Sequence, residues 1–153
     1  GQILGLLEKD TLQISQIDLE NLSAYLQNEQ GLKNIEEILF CFLPQYLKKA
    51  DLTDVHDWLQ PLFQFDENIP ILKTIQVMKT IKDDPDQQFT LGKMYYRLKQ
   101  HQQAIDCFNW EMELNPRDPE PVQWLTKVYL ELGMVEESAN YKYIYSCMRK
   151  ISG

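Results

Sequence analysis

The feature that most restricts this chain is a spacing inside its C-terminal half. A shift of 34 residues carries Leu91 onto Leu125, Tyr95 onto Tyr129 and Ala104 onto Ser138. A repeat of that length is one supersecondary unit that cannot bury its apolar side alone, so copies must stack to share a core. In the better-defined copy, residues 85–118, Gly92 and Ala104 are small enough for two antiparallel helices to approach, and Leu91, Tyr95 and Phe108 fill the space beside them. His101 falls in the tight turn between the helices. Pro116 ends the second helix and holds Asn115 out of helical geometry, while Asp118, Pro119 and Glu120 supply the cap and first turn of the next. The second copy starts near Pro119 with Gly133 in its turn. Its match is looser, because Thr126 replaces the glycine and Lys142 stands at the place of Phe108. Its second helix leaves the pattern after Ala139, with Tyr141, Ile144, Tyr145 and Met148 as its inward stripe. A terminal copy is expected to be atypical, since its outer face meets water.

Upstream the periodicity is also helical. Ile14, Ile17, Leu19, Leu22, Tyr25 and Leu26 lie on one side of a helix ending near Gly31. Residues 32–47 continue with Ile35, Leu39, Phe42, Leu43 and Leu47, and Pro44 predicts a bend near Cys41. Residues 51–64 form a capped helix interrupted at Pro61, partnered by residues 69–81 with Ile71, Leu72, Ile75, Val77, Met78 and Ile81 as its stripe. The apolar run at residues 3–7 is read as helical. No stretch alternates at period two between turn signals, so the fold class is all-α. The 34-residue period fades upstream, where Asp57, Trp58 and Pro61 occupy the places of Leu91, Gly92 and Tyr95. Residues 51–84 therefore read as a degenerate hairpin stacked before the two copies, and residues 1–50 as a helical capping segment, all within one continuous domain of residues 1–153.

Composition narrows the function. The apolar and charged fractions, 44% and 25%, are those of globular chains. With 15 basic and 23 acidic residues the formal charge is -8, which repels a phosphate backbone and argues against nucleic acid as partner. Residues 51–72 hold Asp51, Asp54, Asp57, Asp66 and Glu67 without Lys or Arg, a solvated acidic face. No apolar run reaches the roughly 18 residues of a membrane span. Cys41, Cys107 and Cys147 are odd in number, far apart and set among apolar neighbours, so they read as reduced core thiols in a cytoplasmic protein.

Nothing in the pattern points to catalysis, a cofactor or a metal. His56 and His101 are the only imidazoles, and neither belongs to a spaced ligand set. The glycines form no phosphate loop, and no Gly-x-Ser-x-Gly elbow occurs. Glu36 and Glu37, like Glu136 and Glu137, are neighbours that point in different directions on a helix and cannot share a proton. Trp58, Trp110 and Trp124 read as core or groove-wall residues.

The set Leu91, Gly92, Tyr95, Ala104, Phe108 and Pro116 resembles the tetratricopeptide repeat family, closely over residues 85–118 and partially from Pro119 onward. That resemblance implies a short α-solenoid of stacked hairpins and a non-catalytic protein-interaction module. It also implies a concave surface lined by the first helix of each hairpin. Carried over residue by residue, Phe89, Lys93, Tyr96 and Arg97 of the first hairpin and Gln123 and Lys127 of the second become the peptide-binding residues, beside Asp86, Glu120, Leu130 and Glu131. Rings beside Lys and Arg suit an extended peptide or a helix bearing carboxylates. Family members that hold the C-terminal carboxylate of chaperones use a Lys and Asn pair; here those positions hold Phe89 and Lys93, which speaks against that specialised role. Two alternatives stay open. The chain opens at Gly1 without methionine and runs at once into Ile3, Leu4, Leu6 and Leu7, as the C-terminal appendage of a larger enzyme such as a bacterial glycosyltransferase would. The other is a homodimer paired through the apolar N-terminal segment or the last helix.

Overall fold

The computed structural model describes residues 29–65 and 69–152. The expected helix at residues 14–26 and the run at residues 3–7 lie outside them. Among the described residues there is helix and turn and no strand, and the protein is all-α. No described helix is long and apolar enough to cross a membrane. The chain divides into two compact units, the first ending at Thr80 and the second beginning at Ile81.

In the first unit α1 (Glu29–Tyr46) contains Gly31. α1 continues through Pro44, which sits in its last turn, and the chain closes with Leu47 N–H donating to Leu43 O at 2.9 Å. Leu39, Phe42, Leu43 and Leu47 are buried at three- and four-residue spacing. Cys41, two residues from Leu39 and so nearly opposite on the helix, is exposed. The reading of three core thiols therefore holds only for Cys107, since Cys147 is half-buried.

α2 (Leu52–Trp58) is capped by Asp51, whose Oδ1 accepts from Asp54 N–H at 2.9 Å. The interruption expected within residues 51–64 separates two helices. The break falls at Leu59, and Pro61 lies in the first turn of α3 (Gln60–Phe65), where its missing N–H has no intrahelical role. α4 (Pro70–Ile81) buries Ile71, Leu72, Ile75 and Met78, while Val77, expected on that stripe, is 42% exposed. Trp58 joins α2 to α1 through rings, stacked on Tyr46 at 5.2 Å and tilted against Phe42 at 5.3 Å. His56 joins α2 to α4: its Nδ1 lies 3.3 Å from Lys79 Nζ and 3.2 Å from Gln60 Nε2.

The second unit holds a 3-10 turn (Pro85–Gln87), α5 (Gln88–Arg97), α6 (His101–Leu114), α7 (Glu120–Glu131) and α8 (Val135–Ser152). The 34-residue period is structural. Asp84 Oδ1 accepts from Asp86 N–H at 2.9 Å and Asp118 Oδ1 from Glu120 N–H at 3.0 Å. Between α5 and α6, Gln100 N–H reaches Tyr95 O at 2.9 Å; between α7 and α8, Met134 N–H reaches Tyr129 O at 2.9 Å. Each turn contains one left-handed residue, Lys99 with φ 60° and Gly133 with φ 76°. Such geometry is free to glycine but strained for lysine.

A Cβ built on Gly92 would stand 2.7 Å from Phe108 Cε1 and 3.1 Å from Cys107 Cβ, so α5 and α6 meet at a distance only glycine permits. Phe108 is fully buried with Ala104, Leu125 and Val128. The departures of the second hairpin form a compensating pair: Thr126 takes the glycine's place where the facing ring is replaced by flexible, exposed Lys142. Ser138, at the place of Ala104, is buried and donates its hydroxyl to Thr126 O at 2.9 Å. Two further expectations are corrected. Ile144, placed on the inward stripe of α8, is 41% exposed; the inward ring is Tyr141, stacked on Tyr129 at 5.3 Å. Trp110 faces solvent because it sits on α6 two residues from buried Phe108 and so roughly opposite it.

Two stability predictions come from these contacts. Gly92→Ala gains about 1 kcal/mol of helix propensity but overpacks a full ring, so a net loss of about 1–2 kcal/mol is expected in urea unfolding. The loss should shrink in a Phe108→Leu background, and equal losses in both would show that the two residues are not coupled. Lys99→Gly should raise the urea midpoint by an amount equivalent to about 1 kcal/mol. An unchanged midpoint would mean the left-handed turn carries no strain.

Candidate functional site

The residues singled out from sequence lie on α5 and α7, and the fold ties them together through rings. Phe89 is half-buried with its ring 5.9 Å from Phe108. Phe108 stacks on Trp124 of α7 at 6.1 Å, and Trp124 meets the edge of Tyr96 at 5.4 Å with planes at 81°. Phe89 and Tyr96 are thus partly spent on packing within the unit. What they leave to solvent is a rim of ring surface, not two free anchors.

The lysines have defined seats. Lys93 Nζ lies 4.6 Å from the centroid of Phe89, one turn earlier on α5, and Lys127 Nζ lies 4.4 Å from the centroid of Trp124 on α7. Each is a cation–π contact, which limits the freedom of a long side chain without neutralising its charge. Arg97 is exposed at the end of α5. Among the described residues no carboxylate stands within ion-pair distance of Lys93, Arg97 or Lys127. The three cations are therefore left without an ion-pair partner inside the unit.

Glu131, expected beside these residues, belongs to a junction instead. It accepts from Tyr96 Oη–H at 2.7 Å through Oε1, and its Oε2 lies 2.8 Å from His101 Nε2. Lys99 Nζ is 3.8 Å away. The hydrogen bond from His101 and then that from Tyr96 hold its carboxyl below the ordinary value of 4.5. Burial first, and then the bond to Glu131, push the Tyr96 phenol up to about 12. The end of α7 is thereby pinned to the turn between α5 and α6. Partners 30 to 35 residues apart carry no local signal in sequence. By contrast, the Lys93 and Lys127 seats are the ordinary four- and three-residue helix neighbours and are readable in principle.

Gln123 is half-buried and stands apart from the ring cluster. With Lys127 it borders a cleft of about 440 Å³ between α7 and α8. Among the described residues no group of three His, Cys, Asp or Glu is arranged to hold a metal ion. Burial pushes the Cys107 thiol up to about 12, which leaves it protonated and unreactive at neutral pH. Comparison with protein-family models gives no match, and comparison with curated proteins gives none.

The Glu131 junction has a pH signature. Because its carboxyl is held below 4.5 in the folded protein, its stabilising contribution is complete above that value and is lost as pH falls through the lower folded value. Glu131→Gln should therefore melt lower than the unsubstituted protein at pH 7, with the gap closing on acidification below about pH 4.5. A gap that stays constant with pH would show that the carboxylate's charge contributes nothing there.

Proposed function

We propose that the second unit is a short tetratricopeptide-like stack that binds another polypeptide without catalysis, through the face formed by α5 and α7. The binding residues are Phe89, Lys93, Tyr96, Arg97, Gln123 and Lys127. The observation that carries this reading is the set of three cations without carboxylate partners, two of them seated on aromatic rings of successive first helices. The agreement of caps, turns and backbone hydrogen bonds across 34 residues supports the family resemblance and the solenoid arrangement.

The chemistry selects an acidic ligand. Carboxylates of a bound peptide pair with Lys93, Arg97 and Lys127, and its apolar side chains lie along the exposed rims of Phe89 and Tyr96. Exposed ion pairs are worth roughly 0.2–1 kcal/mol each, so a few of them with modest ring contact give micromolar and not nanomolar binding. Lys93 and Arg97 are neighbours across one helical turn, so one carboxylate can be shared between them.

Panning a displayed random-peptide library against the whole chain should enrich sequences rich in Asp and Glu. The double variant Lys93→Glu with Arg97→Glu should bind the selected peptides at least about tenfold more weakly, a change of about 1.4 kcal/mol. Its far-UV circular dichroism and melting temperature should stay unchanged. Selected peptides without acidic bias, or equal binding by the variant, would overturn the assignment of this face.

A further inference from the structure

The cleft between α7 and α8 is the 34-residue translate of a groove that is filled one hairpin earlier. In the first hairpin Ala104, Ile105 and Phe108 form a floor, and α7 lies on it with Leu125, Val128 and Trp124 inward. Shifted by 34, that floor becomes Ser138, Ala139 and Lys142, and all three line the cleft. Tyr96 and His101, which close the far end of the filled groove, become Leu130 and Val135, which are 60% and 64% exposed. Lys93 becomes Lys127 on the near rim.

The substitutions define what the cleft accepts. Ala139 in place of Ile105 deepens the floor, so a larger side chain fits than the one Leu125 presents. Lys142 in place of Phe108 offers a cation where Trp124 finds a ring, which suits an aromatic face or a carboxylate. Leu130 and Val135 in place of Tyr96 and His101 remove the two groups that hold the Glu131 carboxylate and present apolar surface instead. We propose that this cleft docks an amphipathic α-helix of a partner polypeptide, oriented as α7 is on α6. Its face carries an aromatic residue followed by apolar residues at the next, fourth and seventh positions, with acidic residues at the edges facing Lys127 and Lys142. This inference stands on the repeated geometry and does not depend on occupancy of the α5 and α7 face.

The filled groove supplies the probe. A synthetic peptide of residues 118–133 with Glu131→Leu has Trp124, Leu125, Val128 and the new apolar position at the required spacing, and keeps Asp118 and Glu120 as acidic groups. Titrated into the isotope-labelled full chain, it should cause saturable amide shifts at Leu130, Val135, Ala139 and Lys142. The same peptide with native Glu131 should bind several-fold more weakly. Ala139→Arg, at an exposed position that fills the cleft without touching the core, should weaken binding about tenfold. The Lys93→Glu and Arg97→Glu variant should bind this peptide normally, which separates this cleft from the peptide face. Absence of saturable shifts at millimolar peptide, shifts centred on α5 and α6, or equal binding by Ala139→Arg would overturn the proposal. Concentration-dependent dimerisation abolished by Ala139→Arg without peptide would overturn it too, in favour of a second copy as occupant.

Discussion

The second unit depends on one close approach, Gly92 against the ring of Phe108. Because no Cβ intervenes, α5 and α6 come near enough for Phe108 to be fully buried yet still present a face to Trp124. Trp124 then orients Tyr96 and supports Lys127, and Tyr96 reaches Glu131. Core packing and the placement of the surface cations are consequently one arrangement: moving the ring would shift the seats of the charges as well as the helices. Packed interiors transmit displacement in this way because they have little free volume to absorb it.

The second hairpin reaches a similar backbone by another route. With Thr126 for the glycine and Lys142 for the phenylalanine, ring packing gives way to hydroxyl bonds, from Thr126 Oγ1 to Val122 O at 3.1 Å and from Ser138 to Thr126 O. The caps and turns are conserved between the hairpins while the side chains at their centre are not. Backbone hydrogen bonding fixes the period, and the side chains at the centre of each hairpin are free to differ.

The helices were legible because apolar residues recur at three and four positions, and the boundaries at Pro116, Asp118 and Gly133 because each of those types has a mechanical role at a terminus. Where the reading failed, the reason is local geometry that residue type does not encode. Pro44 does not restart the helix, and the interruption read at Pro61 falls two residues earlier, at Leu59. Cys41 looks like a core thiol by its neighbours, but it lies on the opposite side of α1 from Leu39. Of the candidate site, the lysines and their rings were visible as helix neighbours. The capture of Glu131 by Tyr96 and His101, and the diversion of Phe89 and Tyr96 into packing, depend on contacts between hairpins that only the folded chain reveals.

The length of the last helix has a dynamic consequence. α8 spans 18 residues against 14 for α6, and its outer half exposes Ile144, Ser146, Arg149, Lys150 and Ile151. Its inner half is clamped by Ser138 and Tyr141, so amide hydrogens there exchange with solvent only through opening of the hairpin, whereas those nearer Ser152 exchange by fraying. A single helix thus carries a graded scale of protection along roughly 27 Å. Anything that comes to cover its outer half will register first as slowed exchange at that end.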